Sequence, residues 1–239
     1  MDRGNFHSLR CAFAESLFYL CSALQRRYAS PKRTPEKSMC NLYRLSQSVT
    51  EIAKLFDAGG NLNANLPSHI YPASNGIVIE SGYLRSMTWG FPLAQKSKKT
   101  GKPQKPKPVN NARTDKLDSF FWNNSFAERR CLIPLSAFAE AQGERGSITR
   151  TWMSLADDEV MVCAGVWRDS DEWGPCYSMI MTDASEQMKP IHNRMPVILT
   201  AQDRERFIDG DESDALALCT PFKGELEIDQ TDEPWFNRK

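Results

Sequence analysis

The residues of this chain best equipped for a reaction are Met39 and Cys40. Methionine is removed before small residues, so translation from Met39 would leave Cys40 as the mature N-terminus. An N-terminal Cys is a 1,2-aminothiol, with an amine of pKa about 7.7–8.0 and a thiol of about 8.5 on adjacent carbons. The amine condenses with an aldehyde to give an imine and water. The thiol then adds across the C=N bond and closes a five-membered thiazolidine, an intramolecular step that gains the high effective molarity of proximity. A free Cys is more often a small buried hydrophobe, so this chemistry needs partners elsewhere in the chain.

Four polar residues are candidates. Asn111 and Arg113 stand two apart and share a side of a strand or turn, where a carboxamide and a guanidinium can hold a polar ligand and its phosphate; the plainer reading is a turn Asn and a surface Arg. Glu140 follows the apolar run Cys131-Leu132-Ile133-Pro134 and the pair Phe138-Ala139, a setting that favours burial and a carboxyl suited to proton transfer. A surface carboxylate at a strand end fits the pattern equally well. His192, just before an apolar run, suits general acid or base work, although a structural His is the commoner case.

Several elements have to position these groups. Ser46 or Ser48 can cap a helix with apolar residues at Val49, Ile52, Ala53 and Phe56, which Gly59 and Gly60 then stop. Ile77–Glu80 and Leu84–Trp89 read as strands around a Ser81-Gly82 turn. Gln95–Pro108, rich in Lys and Pro, reads as irregular loop, and Thr114–Phe126 as weakly helical. Further strands are expected at Arg130–Ile133, Thr151–Leu155, Val160–Trp167, Tyr177–Thr182 and Pro196–Leu199, before a polar helix over Gln202–Ile208. Many short strands without βαβ alternation predict an α+β fold: a mostly antiparallel sheet or open barrel core with flanking helices.

Composition narrows the function further. At 239 residues with 41% hydrophobic and 25% charged side chains, the chain is ordinary globular material. No apolar run is long enough for a spanning helix, so no membrane role is expected. Seven scattered Cys (11, 21, 40, 131, 163, 176, 219) without a C-x-x-C pair suggest a reducing, cytoplasmic compartment. Only three His leave little for a His-rich metal site, and neither metal nor cofactor is expected. The net charge is zero, but residues 96–130 carry ten basic and three acidic side chains while 201–239 carry five and eleven. That asymmetry suggests a polyanion-binding face; the alternative is a solvated Lys/Pro loop. Residues 1–38, with seven basic and three acidic side chains, lack the patterning that begins at Met39. They are expected to be an extension absent from the functional protein, followed by a domain over 39–220 and an acidic tail over 221–239.

The segments Met39-Cys40-Asn41, Met87-Thr88-Trp89-Gly90-Phe91, Asn111-Ala112-Arg113, Arg129 to Pro134, Phe138-Ala139-Glu140, Ala164 to Trp167 and His192 to Leu199 stand in the order of one family. Over roughly residues 39–220 the chain resembles the SOS-response-associated peptidase (SRAP) family of abasic-site-processing proteins. The resemblance implies binding to single-stranded DNA and a covalent thiazolidine between Cys40 and the ring-opened aldehyde of an abasic deoxyribose. It implies that Asn111 positions the sugar and the Cys, that Arg113 holds the adjacent phosphate, that Glu140 transfers protons at the amine, and that His192 assists sugar ring opening and the reverse reaction. Trp89 and Gly90 match a segment that packs on DNA at the lesion, with an aromatic face for stacking; Pro72 and Asn41 are further expected DNA contacts. The family name also implies peptidase activity, as removal of the residue before the Cys. A monomer, associated with the nucleoid when acting on DNA, is expected.

This chain departs from the commoner Met-Cys-Gly-Arg start, since Asn41-Leu42 follows Cys40, and Thr114-Asp115 replaces the usual small residue plus Glu. Two other classes use the same residues. A Cys-nucleophile peptidase or amidohydrolase would employ Cys40, Glu140 and His192, and a non-catalytic module for single-stranded DNA would employ the basic segment and Trp89.

Overall fold

The computed structural model describes residues 40–60, 67–144 and 146–236, all within one compact unit, residues 38–239. The expected extension over 1–38, and Met39 with it, lies outside the described residues. In chain order the first strands are β1 (Tyr43–Arg44), β2 (His69–Ile70), β3 (Asn75–Glu80), β4 (Tyr83–Trp89), β5 (Phe91–Lys96), β6 (Pro103–Val109) and β7 (Asn111–Arg113). They are followed by β8 (Arg130–Leu135), β9 (Ala137–Gln142), β10 (Thr149–Ser154), β11 (Met161–Ser170), β12 (Gly174–Asp183), β13 (Arg194–Pro196) and β14 (Glu227–Pro234). The helices are short: α1 (Val49–Leu55), α2 (Asn123–Glu128), α3 (Arg204–Asp209) and α4 (Glu212–Leu218).

Every position of β8 is buried, the mark of a strand covered on both faces. It sits in a ring of five strands, in which β11 pairs with β8 and β12, β8 with β3, β3 with β4, and β4 with β12. The ring is closed where an open barrel was expected, because β11 is ten residues long and reaches both neighbours. Only the β4–β12 pairing within the ring is parallel, and β7 also joins β12 in parallel. A second antiparallel sheet runs β14-β10-β9-β1-β2. The protein is therefore α+β on mostly antiparallel sheet, as its pattern of short strands predicts. Packing between the two sheets is tight: a Cβ on Gly76 would lie 2.1 Å from the Tyr177 hydroxyl and 2.3 Å from that of Tyr43. These two hydroxyls are buried and hydrogen-bonded to each other.

Local chemistry accounts for the helix that was legible. Ser48 caps α1, its Oγ accepting from the Glu51 amide at 3.2 Å while Glu51 accepts from the Ser48 amide at 2.7 Å. The segment 114–126 holds only a 3-10 turn, Thr114–Lys116, and the start of α2. The helix expected over Gln202–Ile208 is α3, Arg204–Asp209, which follows a 3-10 turn and starts two residues later than expected. Arg130 joins two helix ends, donating from Nη1 to Phe126 O at 2.8 Å and from Nε to Phe207 O at 2.6 Å. A cation at helix C-termini satisfies carbonyls that the helices leave unpaired.

Two expectations are corrected. Gln95–Pro108 is no irregular loop, since β5 and β6 form a separate antiparallel hairpin, Phe91 opposite Val109 and Lys96 opposite Pro103. A lone two-stranded ribbon has edges on both sides, where the missing N–H of Pro costs no ladder bond. Residues 221–239 are more than an acidic tail, since β14 pairs with β10 from Ser154–Glu227 to Thr151–Gln230. An edge strand needs only its backbone for pairing, and its exposed acidic side chains deter further strands from adding to it. No described helix is long and apolar enough to cross a membrane.

Candidate active site

Cys40 enters the fold just ahead of β1 and runs beside β9, where the Ala139 amide donates to Leu42 O at 2.9 Å. The side chain is fully buried, with the thiol 3.6 Å from Leu42 O. Burial, and secondly the negative charge of Glu140, push the Cys40 thiol well above the usual range. It therefore rests as a neutral thiol.

The Cys40 carbonyl accepts two side-chain amides, from Asn111 Nδ2 at 2.9 Å and Asn110 Nδ2 at 3.0 Å. Asn110 Nδ2 also lies 3.1 Å from Asn41 Oδ1. The asparagines come from the junction between β6 and β7, where the Asn110 carbonyl accepts from the Met179 amide at 3.0 Å and from Trp89 Nε1 at 3.0 Å. Along β7, alternation puts fully buried Ala112 on one side and Asn111 and Arg113 on the other.

Glu140 lies in mid-β9 opposite Thr151 and is only 2% exposed, so it is no strand-end surface carboxylate. It shares the inward face with Phe138 and with Gln142, whose Nε2 donates at 2.8 Å to Ile191 O. That bond ties β9 to the turn carrying His192, itself buried. His192 Nδ1 lies 3.1 Å from the Arg194 amide and 3.2 Å from the Arg194 carbonyl oxygen, which ties that side of the ring to its own turn.

Arg113 donates to both oxygens of Asp115, at 2.9 and 2.8 Å. This hydrogen bonding, before any other cause, holds the Asp115 carboxyl below its ordinary range. Arg194 lies 3.5 Å from the same carboxylate and 3.4 Å from Asp183. The pairing of Arg113 with Met181 and of Arg194 with Asp183 across β12 gathers these charges. A phosphate reaching Arg113 must compete with Asp115.

Trp89 departs most from expectation. It is fully buried, its indole N–H is committed to Asn110 O, and its ring meets Tyr43 edge-on at 4.9 Å. The expected stacking face is inside the core, and the residue supports Asn110 instead. Gly90 has φ +112°, and a Cβ there would lie 2.6 Å from Pro108 Cβ, so the close approach of β6 requires glycine. Pro72 sits half-buried in the turn Tyr71–Ser74, which is joined to Trp89 by the Ala73 amide at 2.7 Å from Trp89 O.

The structure thus joins Asn111 directly to Cys40, brings in Asn41 through Asn110 and sets Glu140 close by; it links His192 through Gln142 and leaves Arg113 on Asp115. Sequence reasoning missed Asn110, Arg194 and Phe120. The doubled Asn110-Asn111 was the available signal for the first. Nothing local marks Phe120, which is 99% exposed on the loop between β7 and α2. Among the described residues no group of three or more His, Cys, Asp or Glu is placed to hold a metal.

Known proteins resemble this chain in sequence and in fold. The chain is 25% identical over 194 residues to the abasic site processing protein YoqW of Bacillus subtilis, covering 74% of this chain and 83% of that protein. It is equally similar to YoqW of Bacillus phage SPbeta. Among solved structures, a Bordetella bronchiseptica protein superposes with a TM-score of 0.67 at 21% identity, covering 80% of this chain and 99% of that one. A Bacteroides thetaiotaomicron protein gives a TM-score of 0.66 at 18% identity, covering 80% and 91%; both likenesses concern the fold. The sequence profile of the SOS response associated peptidase (SRAP) family matches residues 39–233, and the chain belongs to that family.

Proposed function

We propose that this protein captures abasic sites in single-stranded DNA, during the response to DNA damage, as a covalent thiazolidine on Cys40. The observation that carries this reading is the convergence of two amide donors on the Cys40 carbonyl with Glu140 beside the thiol. Fixing that carbonyl fixes the direction of the amine and thiol on the same residue.

The reaction needs a free α-amine, so the reactive form begins at Cys40. His192 assists opening of the sugar to its aldehyde. The amine attacks the aldehyde carbon, and the carbinolamine loses water to give the imine, Glu140 relaying protons between nitrogen and oxygen. The sulfur then bonds to the same carbon while its proton passes to nitrogen, which closes the ring. A thiol held neutral by burial suits this order, with the amine leading and sulfur following. Asn111 orients Cys40 and the sugar, and Arg113 turns from Asp115 to the neighbouring phosphate. Asn41, Gly90 and Pro72 border the strand. The scheme uses one copy of the chain and no cofactor.

An abasic oligonucleotide tests the reading. The chain starting at Cys40 gives an adduct stable to denaturation, and Cys40→Ala gives none. Cys40→Ser keeps the amine and gives an imine that survives only after borohydride reduction. Amide turnover without an adduct would support a Cys hydrolase, and reversible, salt-sensitive binding alone would support a binding module.

A further inference from the structure

The β5–β6 hairpin has no part in the chemistry above, yet it grows directly out of the site. Its last pair, Phe91 opposite Val109, immediately precedes Asn110 and Asn111, which hold Cys40. Pro108 packs onto Gly90 at the same root. Phe91 is buried there, with its ring centroid 5.1 Å from that of Trp122 and 6.1 Å from that of Phe121, and the Arg168 guanidinium 4.0 Å above it. The root is rigid and the ribbon beyond it is exposed.

A lone two-stranded ribbon gains little stability from burial, so its distinctive content is charge. Lys96, Lys98, Lys99, Lys102, Lys105 and Lys107 are all exposed, and no Asp or Glu lies between Gln95 and Pro108. Among the described residues none of the six is held in an ion pair. Three Pro on one strand discourage a further β-strand from adding to the edge, which argues against a peptide partner. At about 3.3 Å per residue each strand of the ribbon spans about 20 Å, enough to follow several phosphates.

Phe120 lies beside this root, next to Phe121. Its neighbours are tied down: Leu117 and Trp122 are buried, the Trp122 and Asn123 amides both donate to Ser119 O at 2.9 Å, and Ser119 Oγ donates to Lys116 O at 2.7 Å. The phenyl ring is thereby presented to solvent on a fixed turn, seven residues after Arg113. With Trp89 buried, Phe120 offers the most exposed aromatic face among the described residues, and a base stacks on such a face only when unpaired.

We propose that the β5–β6 hairpin is an arm that binds the backbone of single-stranded DNA flanking the lesion, with Phe120 stacking on an unpaired base at the arm's root. The position of the lesion rests on the reading of Cys40 given above; the arm's affinity for the strand does not.

The test uses the full chain and undamaged fluorescent oligothymidylate, which contains no aldehyde and so is blind to Cys40. Each lost single-strand phosphate contact removes about 0.7 from the slope of log affinity against log salt. Replacing Lys98, Lys99, Lys102 and Lys105 together by Gln is expected to lower that slope by about 2 to 3. Phe120→Ala is expected to weaken binding about tenfold or more while leaving the slope unchanged. An unaltered slope in the lysine variant would overturn the arm, and unaltered affinity in Phe120→Ala would overturn the stacking contact. Tighter binding of a fully paired duplex than of oligothymidylate would overturn the single-strand assignment. If Cys40 forms no adduct but the slope falls as stated, the chemistry is wrong and the arm stands.

Discussion

The side-chain amide of Asn111 donates to the carbonyl oxygen of Cys40 across 71 residues of sequence, at 2.9 Å. Because Asn110 donates to the same oxygen at 3.0 Å, the main chain of the proposed nucleophile is held from two directions. Trp89 and Met179 in turn fix Asn110 through its own carbonyl. The core of the sheet thus sets the direction of Cys40.

Asn110→Leu keeps the approximate shape and removes the donor. A hydrogen bond of this kind contributes about 1 kcal/mol, so single-turnover adduct formation is expected to slow about fivefold, and further in the Asn110→Leu/Asn111→Leu pair. Quenched-flow rates with abasic single-stranded DNA provide the check. An Asn110→Leu enzyme as fast as wild type would show that Asn111 alone suffices.

Glu140→Gln and His192→Ala are each expected to slow formation or reversal of the adduct by about 10²-fold, the range of a general acid–base group. Glu140→Gln has a second consequence, because the Glu140 charge helps to raise the Cys40 thiol. Its removal moves that thiol down toward its ordinary value, and alkylation of Cys40 then rises at lower pH than in wild type. Superimposable alkylation profiles would separate the two groups electrostatically.

The buried thiols predict how stability depends on pH. Burial holds Cys131 and Cys163 far above the usual thiol range. The folded state therefore keeps protons that the unfolded chain releases above about pH 8.5. The stabilisation is complete below that pH and is lost as pH rises, at about 1.4 kcal/mol per unit for each thiol. Urea midpoints should fall steeply between about pH 8.5 and 10, and less steeply in Cys163→Ala. A flat profile would contradict this.

Gly90→Ala places a methyl group where φ is +112° and Pro108 Cβ is 2.6 Å away. A loss of about 2 kcal/mol or more is expected from strain and overpacking together. Thermal unfolding measures it, and an unchanged midpoint would mean that the hairpin root yields easily.

Local signals were legible where local physics decides. A Ser cap at 46 or 48 and the spacing of Val49, Ile52, Ala53 and Phe56 made α1 legible because capping and helical periodicity act within a few residues, and the structure settles the cap on Ser48. Cys40, Asn111, Glu140 and His192 stood out as candidates by residue type and surroundings, and their proposed roles rest on the family resemblance. What escaped depends on pairings distant in sequence. The Lys- and Pro-rich β6 looks like loop until Phe91–Lys96 is laid against it, and acidic β14 looks like tail until β10 gives it an edge. Trp89 shows the limit for single residues: an aromatic beside a glycine has a face to offer, and only the sheet determines that the ring is buried against Tyr43.

The most direct test is the denatured intact mass of the chain beginning at Cys40 after incubation with an abasic single-stranded oligonucleotide, alongside Cys40→Ala. The account predicts one species equal to protein plus DNA less one water, formed without borohydride, and no such species for Cys40→Ala. An adduct of that mass in Cys40→Ala, or its absence in wild type, would contradict it.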